Sequence, residues 1–381
     1  MKKKKLFSPG PTPVPEGVLL AMAQPLFHHR DPVFEELFQE VREDLKYVFQ
    51  TKQDVLVLAS SGTGAMEAAI VNTLREGDTV LVIRGGKFGE RWGEICEAYG
   101  VNIIPIDVQW GEAVDPVLVE RSLETYPEIR AVLVQACETS TGVLHPIKEL
   151  CEIVKKRDGV IIIVDAISAL GAVDLPMDLW GIDVMVAGSQ KALMLPPGLA
   201  FIALSEKAWK FSETSNLPKY YFDLKAELKN QRKNQTHFTP AISLIVGLRE
   251  SLRMIKEEGL QNVFRRHEVL ARAMREGVKA LGLEIFSNPP SPTLTAIKLP
   301  PQIDGQKLKR NLEDHYGLIV AGGQEHLKGK IIRIAHMGWF EPSDILQVMA
   351  ALELELWRMG YPVEFGKGVS AAQRIFKEAG L

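Results

Sequence analysis

The stretch VIIIVDAISALGAVDLPMDLWGIDVMVAGSQKALMLPPG, residues 160–198, decides the fold. Its first seven residues and the run DVMVAG (183–188) are continuous aliphatic segments of strand length, the pattern of strands buried on both faces. The first run ends at Asp165, and the second is followed by Lys191. Lys191 lies between the apolar runs GIDVMVA and ALMLPPG. A lysine in such surroundings either snorkels its head to water or keeps its amine inside. In the second case lost hydration favours the neutral, nucleophilic form, which can make a Schiff base.

Outward from this stretch the pattern repeats. VLVLA (55–59), TVLVI (79–83), RAVLVQA (130–136) and LAFIAL (199–204) read as further strands, with VNIIPID between the second and third. GAMEAAIVNTLREG (64–77), GERWGEICEAYG (89–100), a segment from about Asp115 and PIKELCEIVKKRDG (146–159) read as helices between them. Strands alternating with helices predict an α/β fold with a mostly parallel sheet between helical layers. Ahead of it, DPVFEELFQEVREDLKYVFQ (31–50) has apolar residues at 34, 37, 38, 41, 45, 48 and 49, with Asp31 placed to cap and Pro32 in the first turn. After about residue 205 the pattern changes to long helices at 240–258 and 260–281. The segments TLTAIKLP, GQKLKRNLEDHYG, KIIRIAHMG and DILQVMAALELELWRMG follow, a smaller α+β set. The expected division is a proline-rich arm at 1–20, a large domain at 21–258 and a small C-terminal domain at 259–381. SAAQRIFKEAGL, at the end of the chain, reads as a short amphipathic helix.

Composition excludes several classes. The chain has 381 residues, 46% hydrophobic and 24% charged, with a formal net charge of -3, so no basic field draws it to nucleic acid. MKKKK is followed by LFSPGPTPVP rather than by an apolar core, so no secretory signal is expected. No apolar run is long enough to span a bilayer. Three cysteines, Cys96, Cys137 and Cys151, without CxxC spacing, argue against a disulfide framework and structural zinc, and point to a reducing cytoplasm. His28 and His29 without further ligands read as a polar loop, and no metal is expected.

SSGTGAMEAA (60–69) follows a strand and opens a helix. Its glycines let backbone N–H groups approach an anion, and the helix dipole favours one. It is neither a Walker loop nor GxGxxG, because Glu67 stands in place of the third glycine; a turn that needs glycine for its geometry has the same appearance. Asp165 lies where open α/β sheets bind ligands, although a cap or loop ion pair also explains a single such residue. An anion cradle, an acid and a lysine on one sheet edge together match the needs of pyridoxal phosphate, which wants a phosphate site, a carboxylate at the ring nitrogen and an amine for its aldehyde. Phe88 or Trp92, in GGKFGERW, is available to stack on its ring, or is core.

SPGPTPVP, HHRDPVFEE, SSGTGAMEA, GGKFGERW, ETSTGVLHP, VDAISALGAVDLPMDLWGIDVMVAGSQKALMLPPG and IRIAHMG together resemble the class V aminotransferases, closest to the alanine–glyoxylate and serine–pyruvate (serine–glyoxylate) branch. The resemblance spans nearly the whole chain to about residue 360. It implies a fold-type I pyridoxal 5'-phosphate enzyme with a seven-stranded sheet, a homodimer with active sites shared across the subunit interface. By this resemblance Lys191 forms the Schiff base and Asp165 pairs with the ring nitrogen. Thr63, Gly64 and Ala65 line the phosphate cup, with Gln190 nearby, and Phe88 stacks on the ring. Thr139 lies near the ring hydroxyl, Thr239 reaches the neighbouring subunit's phosphate, and Arg333 clamps the substrate carboxylate. Tyr221 and the histidine pair approach the substrate. Some relatives carry Trp at Phe88 and His at Ala65.

The implied reaction moves an amino group from alanine or serine to glyoxylate or pyruvate by a ping-pong route. Aspartate or an aminophosphonate is the alternative donor, and Arg30, Arg84 and Arg232 are the candidates for a second carboxylate. A cysteine desulfurase would need a mobile cysteine, yet none follows Cys151, and Gln190 stands where desulfurases tend to carry histidine. Some relatives have names that imply a hydrogenase subunit, but a scaffold would not need the whole set of lysine, aspartate, cup and arginine.

Overall fold

The computed structural model describes residues 3–381, so the first two residues of MKKKK lie outside it. Its main sheet has seven strands in the order Val55–Leu58, Ala200–Leu204, Val184–Gly188, Ile161–Asp165, Ile129–Gln135, Thr79–Arg84, Asn102–Asp107. Only Ala200–Leu204 runs antiparallel to its neighbours. The rest are parallel, as long crossovers through helices require.

The aliphatic runs explain the layering. In Ile161–Asp165 every residue is buried, Ile162 and Val164 entering one apolar layer and Ile161 and Ile163 the other. The first layer is closed by Pro32–Phe49, Ile147–Val154 and Ile242–Glu258, the second by Gly62–Thr73, Lys87–Ala98 and Glu206–Thr214. Asp31 caps Pro32–Phe49 as its position predicts, accepting from Val33 N at 2.9 Å. At the carboxyl ends of the central strands, Gln135 pairs with Asp165 and Asp165 with Val186, which sets the floor of the site.

A second, four-stranded antiparallel sheet joins Glu284–Ile285, Leu294–Lys298, Ile331–Ala335 and Ala321–Gly322. The helix Leu260–Ala280 spans both cores, with Leu260 and Val263 in the first and Leu270, Met274 and Val278 in the other. The tail helix, Lys367–Ala379, lies against this second core through Ala372, Ile375 and Phe376. The buried Glu353 carboxylate accepts the N–H groups of Gly366 and Gly368 and holds its start.

The arm is extended only to Pro15. Residues 16–22 are helical, because the last proline ends the φ-restricted run and sits at the N-cap position. Lys5–Leu6 pairs in parallel with Leu318–Ile319 of the smaller core, and the arm then crosses to the large sheet. Among the described residues no helix is long and apolar enough to cross a membrane.

Candidate active site

Lys191 lies in the turn after Val184–Gly188 and is 9% exposed. The turn is pinned by Thr12, whose hydroxyl donates to Lys191 O at 2.9 Å, and by Ser189, whose hydroxyl donates to Pro196 O at 2.7 Å. The amine donates to Pro9 O in the arm. Gly10 crosses directly above it at φ +138°, where any Cβ would collide with the amine. Burial pulls the Lys191 ammonium down to about 8, against Asp165 and Cys137, which favour the charged form; Arg333 and Arg91 push the same way as burial. The amine is therefore inside, not snorkelling.

Asp165 is 5% exposed, and its Oδ1 accepts from Ile167 N at 2.7 Å. Burial raises this carboxyl to about 7, and Glu138 adds to the rise, while the Ile167 N–H, Lys191 and Arg91 oppose it.

The glycine-rich turn starts its helix at Gly62, two residues earlier than the sequence spacing predicts. Gly64 N already donates to Ser61 O at 2.9 Å, and Ala65 is wholly buried in an apolar layer. The open donors are therefore those of Gly62 and Thr63. Of the three residues expected to line the cup, Thr63 is half-buried and Gly64 and Ala65 are buried, all within the first turn of this helix. A Cβ on Gly62 would strike the end of the Ile167 side chain, which would have to move. The Oε1 of Gln190 is buried without a hydrogen-bond partner. It lies with Gly62 N around the Cα of Gly188, where an added Cβ would be 3.2 Å from the first and 3.6 Å from the second.

Phe88 is half-buried at the start of Lys87–Ala98, while Trp92 is fully buried in the apolar layer beneath. Trp92 is thus core, and Phe88 is the ring left partly exposed. Thr139 pairs its hydroxyl with that of Ser168 at 2.5 Å, and its carbonyl accepts from Arg333 Nη1 at 2.7 Å. Arg333 also donates from Nε to Gly322 O at 2.9 Å. Burial lowers its guanidinium to about 10, with Glu138 opposing. Arg333 has no carboxylate within ion-pair distance among the described residues. An uncompensated buried charge is unfavourable by several kcal/mol, about 3–5 when a partner is removed, so this group is set for an anion.

The remaining candidates lie apart from this cluster. Thr239 is exposed, next to the stacked pair Tyr221–Phe238, whose ring centroids are 4.8 Å apart. His28 and His29 face each other at 4.5 Å. Arg84 is committed to Asp107 and Arg232 to Asp54, whereas the Arg30 guanidinium donates to Gln235 Oε1 at 2.7 Å and pairs with no carboxylate among the described residues.

The sequence profile of the family Aminotransferase class-V matches residues 5–337. The chain is a class V aminotransferase. It is 43% identical over 379 residues to a soluble hydrogenase 42 kDa subunit of Anabaena cylindrica, covering 98% of this chain and 99% of that one. It is 36% identical to an L-aspartate–glyoxylate aminotransferase of Paracoccus denitrificans, over 98% and 96% of the two chains. The ureidoglycine–glyoxylate aminotransferase structure from Bacillus subtilis superposes with a TM-score of 0.93 at 32% identity, covering 99% of both chains. The fold is that of the fold-type I enzymes, and the cofactor of this aminotransferase family is pyridoxal phosphate.

The residues present fit that group. The backbone donors at the helix start suit a phosphate, the buried Asp165 a ring nitrogen, and the low-pKa Lys191 an aldehyde. This class V site also has parts that the sequence did not disclose. Glu138 is fully buried and accepts from Gly89 N at 2.9 Å, Ser140 N at 3.0 Å and Gln135 Nε2 at 3.0 Å, so it anchors the helix start that carries Phe88. Arg91, Pro9 and Gly10 are further members. Only Glu138 had a signal, its place beside Thr139 just past a buried strand.

Proposed function

We propose that this aminotransferase moves the amino group of a small monocarboxylic amino acid, alanine or serine, to a small 2-oxo acid, glyoxylate or pyruvate. Arg333 carries the reading: it is a buried guanidinium without a protein carboxylate, on the same site as Lys191. Its two carbonyl partners orient the planar fork and leave Nη2 for a carboxylate, a geometry lysine cannot copy. Glyoxylate as acceptor is supported by the names of the Paracoccus and Bacillus relatives.

Bound pyridoxal phosphate supplies the electron sink that lets an α-C–H bond break heterolytically. The Lys191 amine would take the α-proton and give one back to the carbon on the far side of the amino nitrogen, a 1,3-shift suited to a base with a pKa near neutrality. Asp165 holds a proton at the ring nitrogen. Thr139 and Ser168 form the polar wall, and the helix start at Thr63, Gly64 and Ala65 faces the phosphate, with Gln190 close by. Amino acid and oxo acid use the site in turn, which gives ping-pong kinetics. Thr239, exposed on its own subunit, reaches the phosphate of a neighbouring copy in a homodimer, and the free, buried thiols suit a reducing cytoplasm.

A thiol mechanism of the desulfurase type is disfavoured. Burial raises Cys96 and Cys151 to about 12 and Cys137 to about 11, which removes the thiolate such chemistry needs. A second donor, aspartate, is favoured by the Paracoccus relative and by Arg30, the one of the three candidate arginines without a carboxylate partner. The deciding experiment mixes the loaded enzyme with alanine, serine, aspartate and an aminophosphonate separately and follows the visible band. Fastest loss of the band with alanine or serine is expected. Fastest loss with aspartate would transfer the assignment to the dicarboxylic donor.

A further inference from the structure

Arg91 is the least accounted-for charge at the site. It is half-buried, one turn into Lys87–Ala98, with its guanidinium over the Phe88 ring at 4.8 Å. Its Nη1 donates to Thr63 Oγ1 at 3.2 Å. No carboxylate lies within ion-pair distance of it among the described residues. Two nearby glutamates of its own helix, Glu90 and Glu94, face Lys87 instead. A guanidinium left unpaired this close to other cations is not there for an ion pair.

Each contact has a consequence. A flat ring has two faces, and the guanidinium covers one of them, so Phe88 can offer only the other to a second planar group. A cation over an aromatic face contributes about 0.5–2 kcal/mol, rising as the pair is desolvated, enough to favour one ring tilt. At Thr63, the hydroxyl oxygen is occupied as an acceptor, so its own hydrogen is directed away from Arg91. At the lip of the helix start, that leaves the hydroxyl as a donor to an anion.

We propose that Arg91 is a positioning residue that couples the ring wall to the phosphate cup, fixing the tilt of Phe88 with one part of its guanidinium and the donor direction of Thr63 with another. This rests on the reading of the site as a pyridoxal-phosphate pocket. Glu138 sets where the Phe88 backbone lies, through Gly89 and Ser140, and Arg91 sets how the ring is turned.

The test uses full-length protein stripped of cofactor and titrated with pyridoxal phosphate, read by tryptophan fluorescence for affinity and by visible circular dichroism for ring tilt. Arg91→Gln is expected to bind about tenfold more weakly and to lose most of the dichroic amplitude. Arg91→Lys keeps the charge but has no planar face, so its affinity lies between and its dichroism stays low. In a Phe88→Leu background the Arg91→Gln loss shrinks to that of the Thr63 contact alone, because the ring it acts on is gone. Wild-type affinity and dichroism in Arg91→Gln would overturn the proposal, as would full additivity with Phe88→Leu. If Arg91→Gln fails to fold, the same cycle run with Arg91→Lys decides in the same way. A wild-type protein that takes up no pyridoxal phosphate would overturn the cofactor reading itself, an outcome the variants cannot imitate.

Discussion

Asp54 and Asp165 are both carboxylates beside strands of the same sheet, at opposite ends of it. Asp54 precedes Val55–Leu58 and is closed by Arg42 at 2.8 Å and Arg232 at 2.9 Å. Asp183, at the start of Val184–Gly188, is held the same way by Ile162 N and Ser205 Oγ, with Lys207 at 3.9 Å. At the other end, Asp165, Lys191, Arg333 and Arg91 are buried or half-buried, and none has an ion-pair partner among the described residues. The amino ends of the strands thus spend their charge on structure. The carboxyl ends of the central strands leave it without a protein partner, an arrangement that favours a ligand of complementary charge.

The strongest test of this contrast is Lys191→Ala. It should remove the visible band of the cofactor and lower transamination by about three to four orders of magnitude, since both the covalent link and the proton carrier are lost. In the wild type, the amine becomes neutral as pH rises through its folded pKa. Borohydride-trapped capture of pyridoxal phosphate at Lys191, read by mass spectrometry, should therefore rise with a midpoint near 8 rather than near the ordinary 10.5. Next comes Asp165→Asn, which cannot hold the ring cationic. It should retain cofactor through the untouched cup while kcat falls about a hundredfold or more in steady-state assays. Arg333→Lys keeps charge but loses the fork, and kcat/KM should fall about 10–100-fold, mostly through KM.

The opposite end supplies the smallest effect on turnover. Asp54→Asn should leave kcat within about twofold yet destabilise the fold by roughly 2 kcal/mol in urea denaturation, because Arg42 stays buried without its carboxylate. A large loss of kcat with unchanged stability would dissolve the distinction between the two ends.

The parts that were legible in the sequence are those whose placement follows from the local pattern. Lys191 after an apolar strand, Asp165 at the end of another and the glycine-rich turn could be placed from their neighbours alone. Element ends were less legible. LREG reads as the last turn of a helix, but the chain leaves the helix at Leu74 with ψ 169°, because Leu74 is buried in the core and Gly77 N is taken by Gly100 O at 2.8 Å. Glu138 and Arg91 could not be assigned because their partners, Gly89 and Thr63, are 49 and 28 residues away. Trp92 and Phe88, equivalent on paper, were separated only by which side of one helix faces the apolar layer.

The arm has a mechanical consequence. Lys5–Leu6 is stitched to Leu318–Ile319 beside the small sheet, and Pro9 and Gly10 roof the amine on the large one. One short segment thus belongs to both cores, fastened to the smaller one by backbone pairing and forming the ceiling over the reactive nitrogen of the larger one.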